Sequence, residues 1–465
     1  MRTALGLVSL CLLAVLCTPL RAQVTFQRTY GGPGHDDGYS VVWTADGGCA
    51  IAGRTESFGA GQSDVWLVKV DACGDTLWTR TYGGPDMDAG LSLQQTSDNG
   101  YIIAGYTYSF GAGISDAWLI KTDAHGDTLW TRTFGGPDND MAWSVQQTAD
   151  GGYIVAGNTE DFHHILLVRN DNSGNTRWTR SFEVPDGAWG NAVRQTFDGG
   201  FVVAGGTQTT ERSFCLVKTD SDGNPQWSRT YGSSGLNEAW SVQQTGDSGF
   251  AVTGERVTNL HAAWLIRTDA LGETLWTRTY GGLVWERAHS LQQTVDGGFI
   301  MAGDSAGCVW LIKTNSLGAV SWTRSFAGYE IAEGWSVQQT DDGGYVVAGA
   351  TAVRGDRPDV ILIKTDSLGN VGVADHESTA ARDANPATLV RGVLHLWPSP
   401  FPLPQGEGQG VREQAELLDI SGRSVLALNA GANDVSRLSP GVYLIRRDTG
   451  YGLRDTVLHK VIVTR

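Results

Sequence analysis

Short apolar runs, each bounded by Gly, Asn, Asp or Ser, follow one another along most of the chain. The second unit reads LSLQQTS, an Asp-Asn-Gly turn, YIIAGYT, the loop YSFGAGIS, DAWLIKTD, the turn AHGD and TLWTRTF. These pieces are rich in Val, Ile, Thr and Trp, and each reads as a strand. The D-G-G and D-x-x-G-D/N turns supply the positive-φ positions that tight hairpins need.

This four-strand pattern recurs. DGGCAIAG from Asp46 returns as DNGYIIAG (Asp98), DGGYIVAG (Asp150) and DGGFVVAG (Asp198), then DSGFAVTG (Asp247), DGGFIMAG (Asp296) and DGGYVVAG (Asp342). Seven copies about fifty residues apart match the period of propeller blades, so the expected fold is an all-β, seven-bladed β-propeller over 23–370. A basic residue ends each third strand, at Lys69, Lys121, Arg169, Lys218, Arg267, Lys313 and Lys364. A fourth-strand Trp follows six of them (Trp78, Trp130, Trp178, Trp227, Trp276 and Trp322), but no aromatic follows Lys364. VTFQRTYGG at the other end offers Phe26 and Arg28 for the vacant strand, so the N-terminal segment is expected to close the last blade. Closure removes an exposed sheet edge.

One blade cannot cover its own faces, which is why its apolar code is copied. A covered Trp removes about 150–250 Å² from water, roughly 4–6 kcal/mol before entropy costs. Packing therefore accounts for the Trp column. The W-x-R arginines share the Trp face of the strand and read as its stacking or salt-bridge partners.

Composition adds an address. Residues 1–22 have an early Arg2, an apolar run from Ala4 to Leu16 and a polar end at Ala22, the layout of a cleaved signal peptide. No other segment reaches transmembrane length. Glycine, 62 residues without a G-X-Y period, signals tight turns. A formal charge of −16 argues against nucleic acid. Beyond the leader, Cys49, Cys73, Cys215 and Cys308 form no metal pattern, and spacing alone cannot pair them.

Past Lys364 the repeat stops. Residues 371–392 read as a polar linker, and 393–465 as a small β-sandwich of alternating strands. LWPSPF, LLDISGRSVL, LSPGVYLI and the basic last strand KVIVTR resemble the C-terminal sorting domain of type IX secretion (type A, Por), with Trp397-Pro398-Ser399-Pro400 where Tyr-Pro-Asn-Pro is usual. The resemblance implies export, recognition by the type IX machinery, and a secreted or outer-surface location. The repeats also resemble uncharacterised propeller repeats found beside such tails, which implies no activity.

Candidate chemistry is sparse. There is no HExxH, G-x-S-x-G or P-loop, and SFGAG at Ser57 and Ser109 lacks the Lys of a phosphate cradle. His163 and His164 are adjacent, so on a strand they point apart. Acids stand just before the first strands: Asp36, Asp37, Asp88, Asp140, Glu238, Glu286 and Glu333, with Asp186 near the one unit that lacks one. Each is expected to cap its own turn. The sharper reading is a ring at the channel mouth that binds a cation such as Ca²⁺ or a basic ligand. Asp64, Asp116 and Asp359 form a second column, replaced elsewhere by His164, Ser213, Ala262 and Cys308, and are expected to bond locally. Tyr39, Trp143, Trp240 and Trp335 are expected to pack between inner strands rather than to stack on sugars. The loop before the third strand is shortest around 305–307, which breaks symmetry on one rim. The expected function is a non-enzymatic binding or structural module for a surface protein or glycan. The alternative is a carbohydrate-active lyase or hydrolase using carboxylates at the channel mouth.

Overall fold

The computed structural model describes residues 23–371, apart from short connections at 160–163, 183–186, 208–210, 233–234, 259–260, 283–284, 327–330 and 353–356, together with the strands of the C-terminal unit. The leader 1–22, Asp186, most of the linker and all of the LWPSPF motif but Leu396 lie outside the described residues.

Seven four-stranded antiparallel sheets form the first unit, which makes it a seven-bladed β-propeller. The first blade runs inward to outward through Asp36–Trp43, Cys49–Thr55, Asp64–Val70 and Thr76–Tyr82. The next five repeat that order, starting at Asp88, Met141, Ala188, Leu236 and Glu286. The seventh contains Ile331–Gln339, Tyr345–Ala352 and Asp359–Thr365, and its outer strand is Phe26–Tyr30. Phe26 pairs with Lys364 and Arg28 with Leu362, as Trp78 pairs with Lys69 and Arg80 with Leu67. The N-terminal strand therefore occupies the register that the repeat assigns to Trp and Arg.

The core lies between blades. Second and third strands are almost wholly buried, while outer strands alternate exposed and half-buried. Each outer Trp meets the first aromatic of the next blade's second strand edge-on, as in Trp78–Tyr101 (6.0 Å) and Trp130–Tyr153 (5.7 Å). At the closing junction Phe26 clusters with Cys49 instead. The arginine two residues on lies over its own Trp, with Arg80 5.5 Å from the Trp78 ring. Arg80 also donates to Asp127 in the next blade's outer turn at 3.2 Å, so both expected roles fall to one side chain.

Each basic residue of the third strand is buried and reaches the Asp of the D-G-G turn: Lys69–Asp46 2.9 Å, Lys121–Asp98 3.0 Å and Lys364–Asp342 3.0 Å. The ammonium also donates to a backbone carbonyl, such as Thr122 O at 2.7 Å. These pairs tie the inner turn to the third strand.

The C-terminal unit, Asp375–Arg465, contains a five-stranded sheet ordered Thr388–Val390, Val457–Val463, Gly441–Asp448, Gln414–Leu418 and Ser424–Leu428. Val393–Leu396 pairs separately with Gly431–Asp434. Thr388–Val390, in the stretch read as linker, pairs in parallel with the last strand.

Candidate functional site

Residues of all seven inner strands line one central channel. Side chains of the repeated S-V-Q-Q motif bridge them. Ser40 Oγ accepts from Leu93 N at 3.1 Å, Ser92 Oγ from Val145 N at 3.1 Å, and Ser336 Oγ from Val41 N at 3.2 Å, so the girdle crosses the closing junction. Gln94 Oε1 accepts from Gln147 N at 2.6 Å and Gln338 Oε1 from Trp43 N at 2.7 Å. Polar groups facing the channel thus satisfy backbone donors that have no neighbouring strand.

Every inner strand also carries a one-residue bulge. The register slips between Gly38 and Ser40, Gly90 and Ser92, Ala142 and Ser144, and at the matching place in the other four blades. Bulges re-aim a side chain, and here the seven bulged residues are Tyr39, Leu91, Trp143, Asn191, Trp240, His289 and Trp335. All line one chamber of about 410 Å³ at one end of the channel. Tyr39, Trp143, Trp240 and Trp335 are half-buried, so they face the channel instead of packing between strands as expected. Their neighbourhood is aromatic: His289 stacks on Trp335 (4.1 Å between centroids, 13°) and meets Trp240 edge-on.

Arg194 stands where the other blades carry the channel-facing Gln, or Val42 in the first. It lines both the chamber and a second cavity of about 320 Å³ in the channel, and among the described residues is the only Asp, Glu, Lys or Arg lining either. Its Nη1 donates to Val193 O at 2.7 Å, and no carboxylate among the described residues pairs with it. Burial pulls its pKa below the ordinary guanidinium value, because the charged form gives up water without a counter-charge.

Around the chamber lie charged groups that differ from blade to blade. Asp37 accepts from Arg54 (2.8 Å) and the Tyr39 hydroxyl (2.8 Å), and contacts His35 at 3.0 Å. Burial, and then the Asp37 charge, push the Tyr39 hydroxyl well above the usual phenol range. Glu238 accepts from Trp189 Nε1 (2.8 Å) and Asn191 Nδ2 (2.9 Å). Burial raises its pKa despite those bonds. Arg287 bridges Asp304 (3.1 Å) and Glu333 (3.3 Å). Burial raises Asp304 to about 6 against the opposing pull of Arg287. His289 is held down to about 3, first by burial and then by Arg287, so it is neutral at pH 7, and its Nδ1–H donates to Gly334 O at 3.1 Å.

The seven acids do not form one ring. Asp36, Asp88, Asp140 and Glu286 occupy one register, fully or nearly buried, and each accepts from the glycine four residues before it. Asp37, Glu238 and Glu333 stand one residue later, beside the bulge. A one-residue offset on a strand reverses the face. Asp37 and Glu333 share a cavity, a groove of about 300 Å³ that also contains His35, Tyr39 and Trp335. Among the described residues, no three His, Cys, Asp or Glu side chains are grouped to hold a metal, and Cys49, Cys73, Cys215 and Cys308 are free thiols.

No family model matches the chain. The regulatory protein FlaEY of Caulobacter vibrioides is 31% identical over 137 residues, covering 26% of this chain and 14% of that relative. Among solved structures, a protein of unknown function from Dyadobacter fermentans is 13% identical with a TM-score of 0.44, covering 75% of this chain and all of its own. The extracellular domain of the putative one-component system BT4673 from B. thetaiotaomicron is 11% identical with a TM-score of 0.43, covering 94% of this chain and 59% of its own.

Proposed function

We propose that this chain is an exported, non-enzymatic binding propeller that holds a glycan or protein segment in the aromatic chamber at one end of its channel. The supporting observation is the set of seven bulges, which turn the uncopied residues of seven blades toward one cavity. Half-buried Trp and Tyr faces suit a flat sugar or apolar ring. Arg194, charged and without a carboxylate partner, suits an anionic group on the same ligand. The leader at 1–22 and the tail at 393–465 support a secreted or outer-surface location, with the type IX machinery as the partner that reads the tail.

The test is a binding screen of the purified chain against arrays of neutral and acidic oligosaccharides and peptides. Acidic hits should weaken at least tenfold in Arg194→Gln, a loss of about 1.4 kcal/mol or more, with melting temperature unchanged. Hits indifferent to both Arg194→Gln and Trp143→Ala would overturn the proposal.

One observation favours the second reading, a carbohydrate-active enzyme: Asp37 and Glu333 share a groove that adjoins the chamber through Tyr39 and Trp335. Turnover of a bound polysaccharide that disappears in Asp37→Asn and in Glu333→Gln would establish that reading instead.

A further inference from the structure

The two acidic columns meet between blades. Gly83 follows the first blade's outer strand, and a Cβ placed on it would lie 1.9 Å from Asp64 Oδ1 and 2.7 Å from Asp88 Oδ2. At Gly135 the corresponding point lies 2.9 Å from Asp116 Oδ1 and 2.4 Å from Asp140 Oδ2. Each pair thus joins a third-strand Asp of one blade to the inner-strand Asp of the next, across the glycine that links them. At Gly31, Asp359 and Asp36 stand in the same positions.

All four acids of the first two pairs are buried: Asp88 and Asp140 at 0% exposure, Asp64 at 2% and Asp116 at 3%. Their hydrogen bonds land on one oxygen each. Asp88 Oδ2 accepts from Gly84 N (2.9 Å) and Ser109 Oγ (2.8 Å), and Asp64 Oδ2 from Ala60 N (2.8 Å) and Gly61 N (3.2 Å). Asp116 Oδ2 accepts from Ala112 N and Gly113 N, both at 3.0 Å, and Asp140 Oδ2 from Gly136 N at 2.7 Å. The other oxygens of Asp88 and Asp140 are buried with no donor among the described residues. No Lys, Arg or His there forms an ion pair with any of the four.

Each acid caps its own turn, but capping does not explain why the two are buried side by side. Two carboxylates buried beside each other repel unless a cation intervenes. The repeats keep the two together at six of the seven junctions, the exception being Ala262, which precedes Glu286. Where the third-strand position is His164, Ser213 or Cys308, the next inner strand carries Ala188, Asn237 or Ala332. Two carboxylates side by side offer the oxygen donors that Ca²⁺ prefers.

We propose that the Asp64–Asp88 and Asp116–Asp140 pairs are calcium sites that join neighbouring blades. These sites are separate from the channel chamber and do not depend on its function. The test is calorimetric titration of Ca²⁺ into the EDTA-stripped mature chain, with melting temperature followed in parallel. Two ions per chain and a rise in melting temperature are expected. Asp64→Asn should remove one ion, while Glu238→Gln, at the channel mouth, should remove none. Should Asp64→Asn fail to fold, Asp116→Asn gives the same reading at the second junction. No heat and no thermal shift at millimolar Ca²⁺ would overturn the proposal.

Discussion

Lys313 is buried at 5% exposure, yet its ammonium reaches Asp296 at 2.8 Å and Thr314 O at 2.8 Å. Burial alone would raise the Asp296 pKa. Hydrogen bonds from Lys313, Thr294 and Gly298 N outweigh it and hold the group down to about 2. Asp46, Asp98, Asp198 and Asp342 are shifted the same way: burial opposes, and hydrogen bonds from a Thr, a Lys and a backbone N–H prevail. A depressed folded pKa gives stability that is complete above the unfolded value of about 3.9 and lost as pH falls toward about 2. Lys313→Met should therefore cost about 1 kcal/mol at pH 7, small because Asp296 is largely exposed and can rehydrate. It should also flatten the acid limb of the melting-temperature profile between these pH values. Melting curves of wild type and variant at closely spaced pH check both. The repeated Lys and Asp are plain in the sequence, but only the three-dimensional register shows that they pair.

Glycine dictates two elements. Gly126 sits at φ +80 in the second blade's outer turn, and a Cβ there would lie 2.7 Å from Trp78 Cζ3 of the preceding blade. Gly151 has φ +81 but nothing within 4 Å. Gly126→Ala should then cost about 2–4 kcal/mol, combining left-handed strain and overpacking. Gly151→Ala should cost about 1–2 kcal/mol from strain alone. Urea midpoints at constant slope separate the two. Gly53, in the second strand, explains a harder case: its Cβ would come within 1.7 Å of Asp37 O, because the inner strand bulges toward it. Glycine repeated inside a strand is a bulge signal, and the glycine that ends every copy of DGGYIVAG carries it. Without that inference, Tyr39 and Trp143 could not be told from core aromatics. The acidic column was misleading for the same reason, since Asp36 and Asp37 differ by one residue and face opposite ways. The Ser and Gln bridges were legible as repetition but not as bonds, because their partners lie about fifty residues away in the next blade.

Across the whole molecule, copied residues hold the ring together, and uncopied ones gather at one end of its channel. The strand count, the blade count and the closing strand all followed from the repeat, because each blade faces the same packing problem. The chamber did not, because its identity lies in differences between copies, such as Arg194 for Gln, which no period reveals. The architecture depends on the N-terminal strand pairing Phe26–Tyr30 with Val360–Lys364. Amide hydrogen exchange on the mature chain and on a chain beginning after Tyr30 tests that dependence most directly. Strand Asp359–Thr365 should be among the most protected segments in the first chain, and in the second it should lose protection while the third strand of the fourth blade keeps its own. Equal protection of Asp359–Thr365 in both chains would contradict ring closure.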